Sequence, residues 1–125
     1  MLANAKVTTC LPVVDLNRAK DFYQNKLGLK FIETQIPYSL TFEAGNETQF
    51  FLYKREATKA DHTAASFLVE VILTEVNALR AKGVQFETYD MGEIKTDENN
   101  IAHFGSTQSA WFKDSEGNIL GIANH

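Results

Sequence analysis

Cysteine is nearly missing from this chain: Cys10 stands alone, so no intrachain disulfide can form. A chain without a cystine framework is expected in a reducing compartment, and a cytoplasmic location is the simpler expectation. Proline is also scarce, with two residues in the whole sequence. One of them, Pro12, interrupts a strand-like run and lacks a ladder donor, so that strand belongs at a sheet edge or Pro12 lies near its end. Positive charge is outweighed, 12 Lys and Arg against 16 Asp and Glu, for a net charge of −4. No basic surface invites nucleic acid or an anionic membrane, and neither is expected as a partner. No apolar run approaches the ~20 residues that span a bilayer. Residues 1–6 lack the basic-then-apolar profile of a signal peptide, so the sequon at Asn46, Glu47 and Thr48 is read as a chance match.

What is present is ordinary for a globular protein: 44% hydrophobic and 22% charged residues over 125 positions. Residues 1–125 are expected to form one domain, burying roughly two-thirds of the surface the unfolded chain exposes.

The organising stretch runs from Leu11 to Phe31. Asp15 stands at an N-cap position, where its carboxylate accepts the free amides of a first helical turn. Leu16, Ala19, Phe22, Tyr23 and Leu27 recur at helical spacing, and Gly28 follows as a helix stop. The pattern predicts a strand over 7–14, a helix over 16–27, and strands over 29–35, 38–43 and 48–53. Residues 54–64 are polar and aperiodic and read as a connector. A second series follows: a strand over 65–73, a helix over 75–82 capped by Thr74 and stopped at Gly83, and a strand opening at Val84 and Phe86. A long loop over 90–107 comes next, then strands over 108–113 and 118–123 joined by a turn at Asp114 to Gly117. Strand–helix–strand–strand–strand thus occurs twice, with repeat one at about 6–55, a connector at 56–63 and repeat two at about 64–124. Each unit leaves one sheet face bare, and two bare faces are expected to enclose a cavity.

The stretches Leu11 to Tyr23 with Leu27-Gly28-Leu29, and Ala110 to Leu120 containing Phe112-Lys-Asp-Ser-Glu-Gly-Asn118, resemble the vicinal oxygen chelate superfamily. That group includes glyoxalase I, extradiol dioxygenases, fosfomycin-resistance enzymes and bleomycin-resistance proteins. Its C-terminal pattern is Phe, a variable residue, then Asp-Pro-Asp-Gly-Asn; here Ser115 replaces the Pro and Glu116 the second Asp. The resemblance implies an α+β fold of two βαβββ repeats forming curled mixed sheets around a cavity (glyoxalase/bleomycin resistance/dioxygenase-like), commonly paired as a homodimer.

Enzymes of the superfamily hold a divalent metal with His, Gln or Glu from four strands. Carried over by position, those ligands fall at Thr8, within Phe50 to Tyr53, near Ser66 and at Gly121. None supplies a good hard-metal donor, so no metal and no cofactor is expected, a divalent metal being the alternative. His62 and His103 would have to rescue such a site and are read as surface loop residues; His125 is read as a frayed terminus.

Cys10 shares a strand face with Thr8 and is read as a small buried hydrophobe rather than a nucleophile. Glu70 is the candidate catalytic residue: an apolar run surrounds it, alternation sets it with Ser66 and Leu68, and the resemblance implies that this face lines a half-dry pocket; a salt bridge or hydrogen bond to a neighbouring strand is the equal alternative. The expected ligand-binding set is Thr8, Cys10, Tyr38, Phe51, Tyr53, Ser66, Glu70, His103 and Trp111, with the aromatics supplying apolar area. The expected function is metal-free binding or sequestering of a small organic molecule. The alternative is a divergent lyase, isomerase or dioxygenase-like enzyme.

Overall fold

A computed structural model describes residues 1–33 and 36–124. The end of the second predicted strand (Thr34 and Gln35) and the terminal His125 lie outside the described residues. The chain divides into two compact units, residues 1–58 and 59–125.

In the first unit, strand β1 (Thr9–Val13) leads into helix α1 (Leu16–Asp21). Asp15 caps the helix as its spacing predicts, accepting the Arg18 amide at 3.0 Å. The helix then widens into a π-type turn over Phe22–Lys26, and Leu27 N–H donates to the Phe22 carbonyl at 3.0 Å. Gly28, at φ +74°, makes the left-handed exit into β2 (Lys30–Ile32). Strands β3 (Ser39–Glu43) and β4 (Gln49–Lys54) complete a sheet of order β1-β4-β3-β2, in which β1 and β4 run parallel. Pro12 therefore sits on the edge strand, as its missing N–H requires. Leu11, Leu52, Leu40, Phe42 and Phe50 are buried on one sheet face. Tyr23 fills the core beside them, its ring 5.7 Å from Phe42 and 6.0 Å from Phe50.

The second unit repeats the topology. Strand β5 (Thr63–Leu68) is followed by helix α2 (Ile72–Ala81), the short hairpin of β6 (Asp90–Met91) and β7 (Ile94–Lys95), then β8 (Ala102–Phe104), β9 (Thr107–Lys113) and β10 (Ile119–Ala123). The main sheet has the order β5-β10-β9-β8 with β5 and β10 parallel. Phe112, Ala110, Leu120 and Ile122 are buried together on one face. Phe86 reaches the same core through a bridge to Phe112, with ring centroids 5.5 Å apart.

Three expectations need correction. Helix α2 begins at Ile72, two residues before the expected Thr74 cap, and Val71 at its N-cap makes no side-chain hydrogen bond. Burial of Ile72 and Val76 on one helical face outweighs the missing cap. The strand ahead of it stops at Leu68, so Glu70 is exposed in a bend rather than held in a strand. Residues 90–107 are not a bare loop: the β6–β7 hairpin and β8 occupy half of the segment. Polar side chains there satisfy the backbone, because Thr96 and Tyr89 hydrogen-bond each other and Asp97 accepts the amides of Asn99 and Ile101.

Among the described residues no helix is long and apolar enough to cross a membrane.

Candidate functional site

Each sheet presents one face that its own helix does not cover. In the first unit the ladder register puts Cys10, Phe51 and Thr41 in one row, and Pro12, Tyr53 and Ser39 in the next. Phe51 and Tyr53 stack at 6.5 Å, both half-buried. Cys10 is exposed there, not buried as expected, and its thiol donates to the Thr8 carbonyl at 3.8 Å. Thr8 precedes the strand and is exposed beside Lys6, Glu43 and Gln49. Tyr38 lies in the turn before β3 with a positive φ of 56° and is exposed.

The second unit carries a concavity of about 430 Å³. Its floor is Trp111 of β9, and Tyr89 meets that ring edge-on with centroids 5.3 Å apart at 66°. Both rings owe their placement to alternation. Phe112 points into the core, so Trp111 and Lys113 face the other way; Phe86 points into the core, so Glu87 and Tyr89 do likewise. Glu87 N–H donates to the Trp111 carbonyl at 2.7 Å, which holds this segment alongside β9. Met91 and Ile94 form a side wall, and Asp61 and His62 stand at the rim.

Electrostatics divide the pocket into an apolar floor and a charged lip. Lys113 Nζ lies 3.6 Å from the Glu87 carboxylate. Partial burial, reinforced by the Glu87 charge, raises the Tyr89 pKa above its ordinary 10.0. The phenol is therefore a hydrogen-bond donor across the neutral range.

Gly121 of β10 lies between Ser66 and Trp111 in the ladder. A Cβ at this position would stand 2.6 Å from Ser66 Oγ and 3.5 Å from Trp111 Cδ1. The missing side chain lets Ser66 and the indole close over the bare backbone.

The expected binding set is thus brought together only in parts. Cys10, Phe51 and Tyr53 share one face of the first sheet, and Ser66 and Trp111 share one face of the second. Glu70 joins neither group, because the strand ends before it. His103 pairs with Gln108, whose parity is that of Ala110 and Phe112, so it sits on the opposite face from Trp111. His103 lies in strand β8 rather than in a loop, and there its Nε2 meets Asp97 of the preceding turn at 2.9 Å, away from the pocket. Glu87, Tyr89 and Lys113 were not singled out by sequence reasoning. The alternation around Phe86 and Phe112 was the signal available to find them.

A model of the bleomycin resistance protein-like N-terminal family matches residues 7–41. Similar solved structures include the genomically encoded fosfomycin resistance protein FosX from Listeria monocytogenes, at 15% identity and TM-score 0.71, covering 98% of this chain and 91% of that one. A lactoylglutathione lyase from Agrobacterium tumefaciens aligns at 16% identity and TM-score 0.68, covering 97% and 93%. A glyoxalase family protein from Enterococcus faecalis gives 18% identity and TM-score 0.72, covering 98% and 99%. No curated protein sequence matches the chain.

The chain has the glyoxalase/bleomycin-resistance fold. That fold implies a divalent metal, and the residues present do not fit one. Of the four positions that correspond to ligands, Thr8 offers a weak hydroxyl, Phe50 to Tyr53 offer no carboxylate or imidazole, and Ser66 already packs against Gly121. Gly121 has no side chain, and the space one would need is filled. Among the described residues no three His, Cys, Asp or Glu side chains converge. In this member of the fold, the second unit's exposed face is built from aromatic rings and an ion pair instead.

Proposed function

We propose that the chain binds a small organic molecule in the pocket of its second unit, in the manner of a sequestering, resistance-type protein and without a metal. The observation that carries this reading is the Trp111–Tyr89 corner lying against the Glu87–Lys113 pair in a pocket of about 430 Å³. Small-molecule sites commonly combine an apolar, aromatic lining with a few polar groups in volumes of about 300–1,000 Å³. The names of neighbours in the fold, a fosfomycin resistance protein among them, are in keeping with it.

A thermal-shift screen of small organic molecules tests the reading. A ligand raises the melting temperature according to RT ln(1 + [L]/Kd), and Trp111→Ala abolishes the shift while Glu70→Gln leaves it intact. A shift that survives Trp111→Ala sinks the proposal. The reading also has two copies of the chain associating as a homodimer, as is common for this fold. A monomer in sedimentation at micromolar concentration contradicts that part.

A lyase or isomerase reading draws on a different observation, a phenol (Tyr89) and a carboxylate (Glu87) lining the same pocket. Such a pair supplies a proton donor and a proton acceptor at one pocket. Turnover lost in Glu87→Gln with ligand affinity retained favours the enzyme; binding without turnover in the unaltered chain favours the carrier.

A further inference from the structure

We infer that the β6–β7 hairpin is an arm that clamps a flat aromatic ring against Trp111; this inference rests on the binding reading proposed above. Met91 and Ile94 are direct cross-strand partners, so both project from the same face of the hairpin. Both line the pocket, whereas the other cross-strand pair, Asp90 and Lys95, projects from the opposite face. The arm is amphipathic, and its apolar side is turned to the indole.

The base of the arm is held by a paired backbone and side-chain clasp, its end by the short ladder alone. Thr96, which is buried, donates its N–H to the Tyr89 carbonyl at 2.9 Å, and its hydroxyl accepts the Tyr89 N–H at 3.0 Å. Beyond this clasp only two residue pairs hold the strands together, and Gly92 turns the tip at φ +70°. A two-stranded hairpin of this length is marginal by itself and gains stability from whatever its apolar face covers. Met91 is 62% exposed, which leaves apolar area uncovered at the mouth of the pocket. A flat ring between the indole and the Met91–Ile94 face covers it, thioether sulfur being a favourable neighbour for an aromatic ring. The Glu87–Lys113 pair at 3.6 Å then meets a polar substituent at the ring's edge. The ligand class is a fused or substituted flat aromatic molecule carrying one polar or acidic group.

Trp111 is the sole tryptophan, so tryptophan emission excited selectively over tyrosine reports on this site. The probe is 1-anilinonaphthalene-8-sulfonate, titrated into the 125-residue chain. The expected result is quenching of Trp111 by energy transfer to the probe, with slowed amide exchange over residues 90–95. Replacing both Met91 and Ile94 by Gln weakens binding about tenfold, the loss of apolar contact from two side chains, while the free protein keeps its circular-dichroism spectrum. Met91→Leu, which keeps the apolar surface, binds like the unaltered chain. If the Gln variant keeps full affinity while Trp111→Ala loses it, the clamp is overturned and the pocket survives. If Trp111→Ala also binds normally, or the unaltered protein does not bind, both fall.

Discussion

Tyr89 carries the clearest electrostatic signature of the pocket. Burial is the larger cause of its raised pKa and the Glu87 carboxylate the smaller, so Glu87→Gln lowers the midpoint toward 10.0 without reaching it. Ultraviolet titration, taken as the difference from Tyr89→Phe, resolves this among the four tyrosines. The sign for stability follows: neutral Tyr89 is favoured in the folded chain, so its contribution is full below pH 10.0 and fades as pH rises through the raised value. A midpoint unmoved by Glu87→Gln contradicts the proximity of the two groups. Gly121 makes a second residue-scale prediction. An added Cβ meets Ser66 Oγ at 2.6 Å, a contact the serine must relieve by rotating away. Gly121→Ala is expected to cost about 1 kcal/mol in urea denaturation, and most of that cost disappears in a Ser66→Ala background. Additive effects rule the contact out. At this scale alternation about an apolar neighbour was the usable signal, as the parity of Trp111 against Phe112 illustrates. Glu70 was misplaced because nothing in a run of apolar residues marks where strand gives way to helix.

Turns explain why the elements of the second unit end where they do. Asp114 is buried and accepts the amides of Glu116 and Asn118 at 2.8 Å each, together with the Asn118 side-chain amide at 2.9 Å. These bonds close the β9–β10 turn whatever residue stands at position 115, so the Ser that replaces a Pro there is tolerated. Asp114→Ala removes a charged acceptor and leaves its buried donors unpaired, at an expected cost of about 3 kcal/mol. A loss below about 1 kcal/mol, measured in the same denaturant, contradicts that account. Asp97 organises the turn before β8. Its pKa is lowered chiefly by the hydrogen bond to His103, with the Ile101 and Asn99 amides assisting and partial burial opposing. A depressed carboxyl stabilises the fold above its unfolded value of 3.8 and loses that contribution as pH falls through the lower folded value. In a denaturation series from pH 7 to pH 2, Asp97→Asn is expected to flatten part of the acid-side slope. An unchanged slope shows that the pair is screened by solvent. The turn was opaque in the sequence because it is built by side chains bonding to backbone several residues away, and periodicity carries no trace of such bonds.

At the scale of the whole chain the two units were legible from element order alone. Asp15, Gly28 and Gly83 punctuate the series, and two four-stranded sheets of the same strand order result; in the second, however, the strand after the helix is β8, inside the expected loop, and the strand expected at Val84 and Phe86 is reduced to a single bridge from Phe86 to Phe112. The concave surface was less legible, since its chemistry depends on ladder register across β5, β10 and β9 rather than on neighbours in the chain. That register supplies the final prediction. Metal-binding members of a fold need converging donors, and here the row Ser66, Gly121, Trp111 offers one hydroxyl, one bare backbone and one indole. Stripping the purified protein with EDTA is therefore expected to leave its melting temperature unchanged, and millimolar Zn²⁺, Ni²⁺ or Mn²⁺ to raise it no further than Ca²⁺ does. Hard and borderline cations alike need carboxylate or imidazole ligands that these positions lack. Stoichiometric metal in protein purified without chelator, lost together with several degrees of melting temperature on EDTA treatment, overturns the metal-free reading and moves the search to donors outside this row.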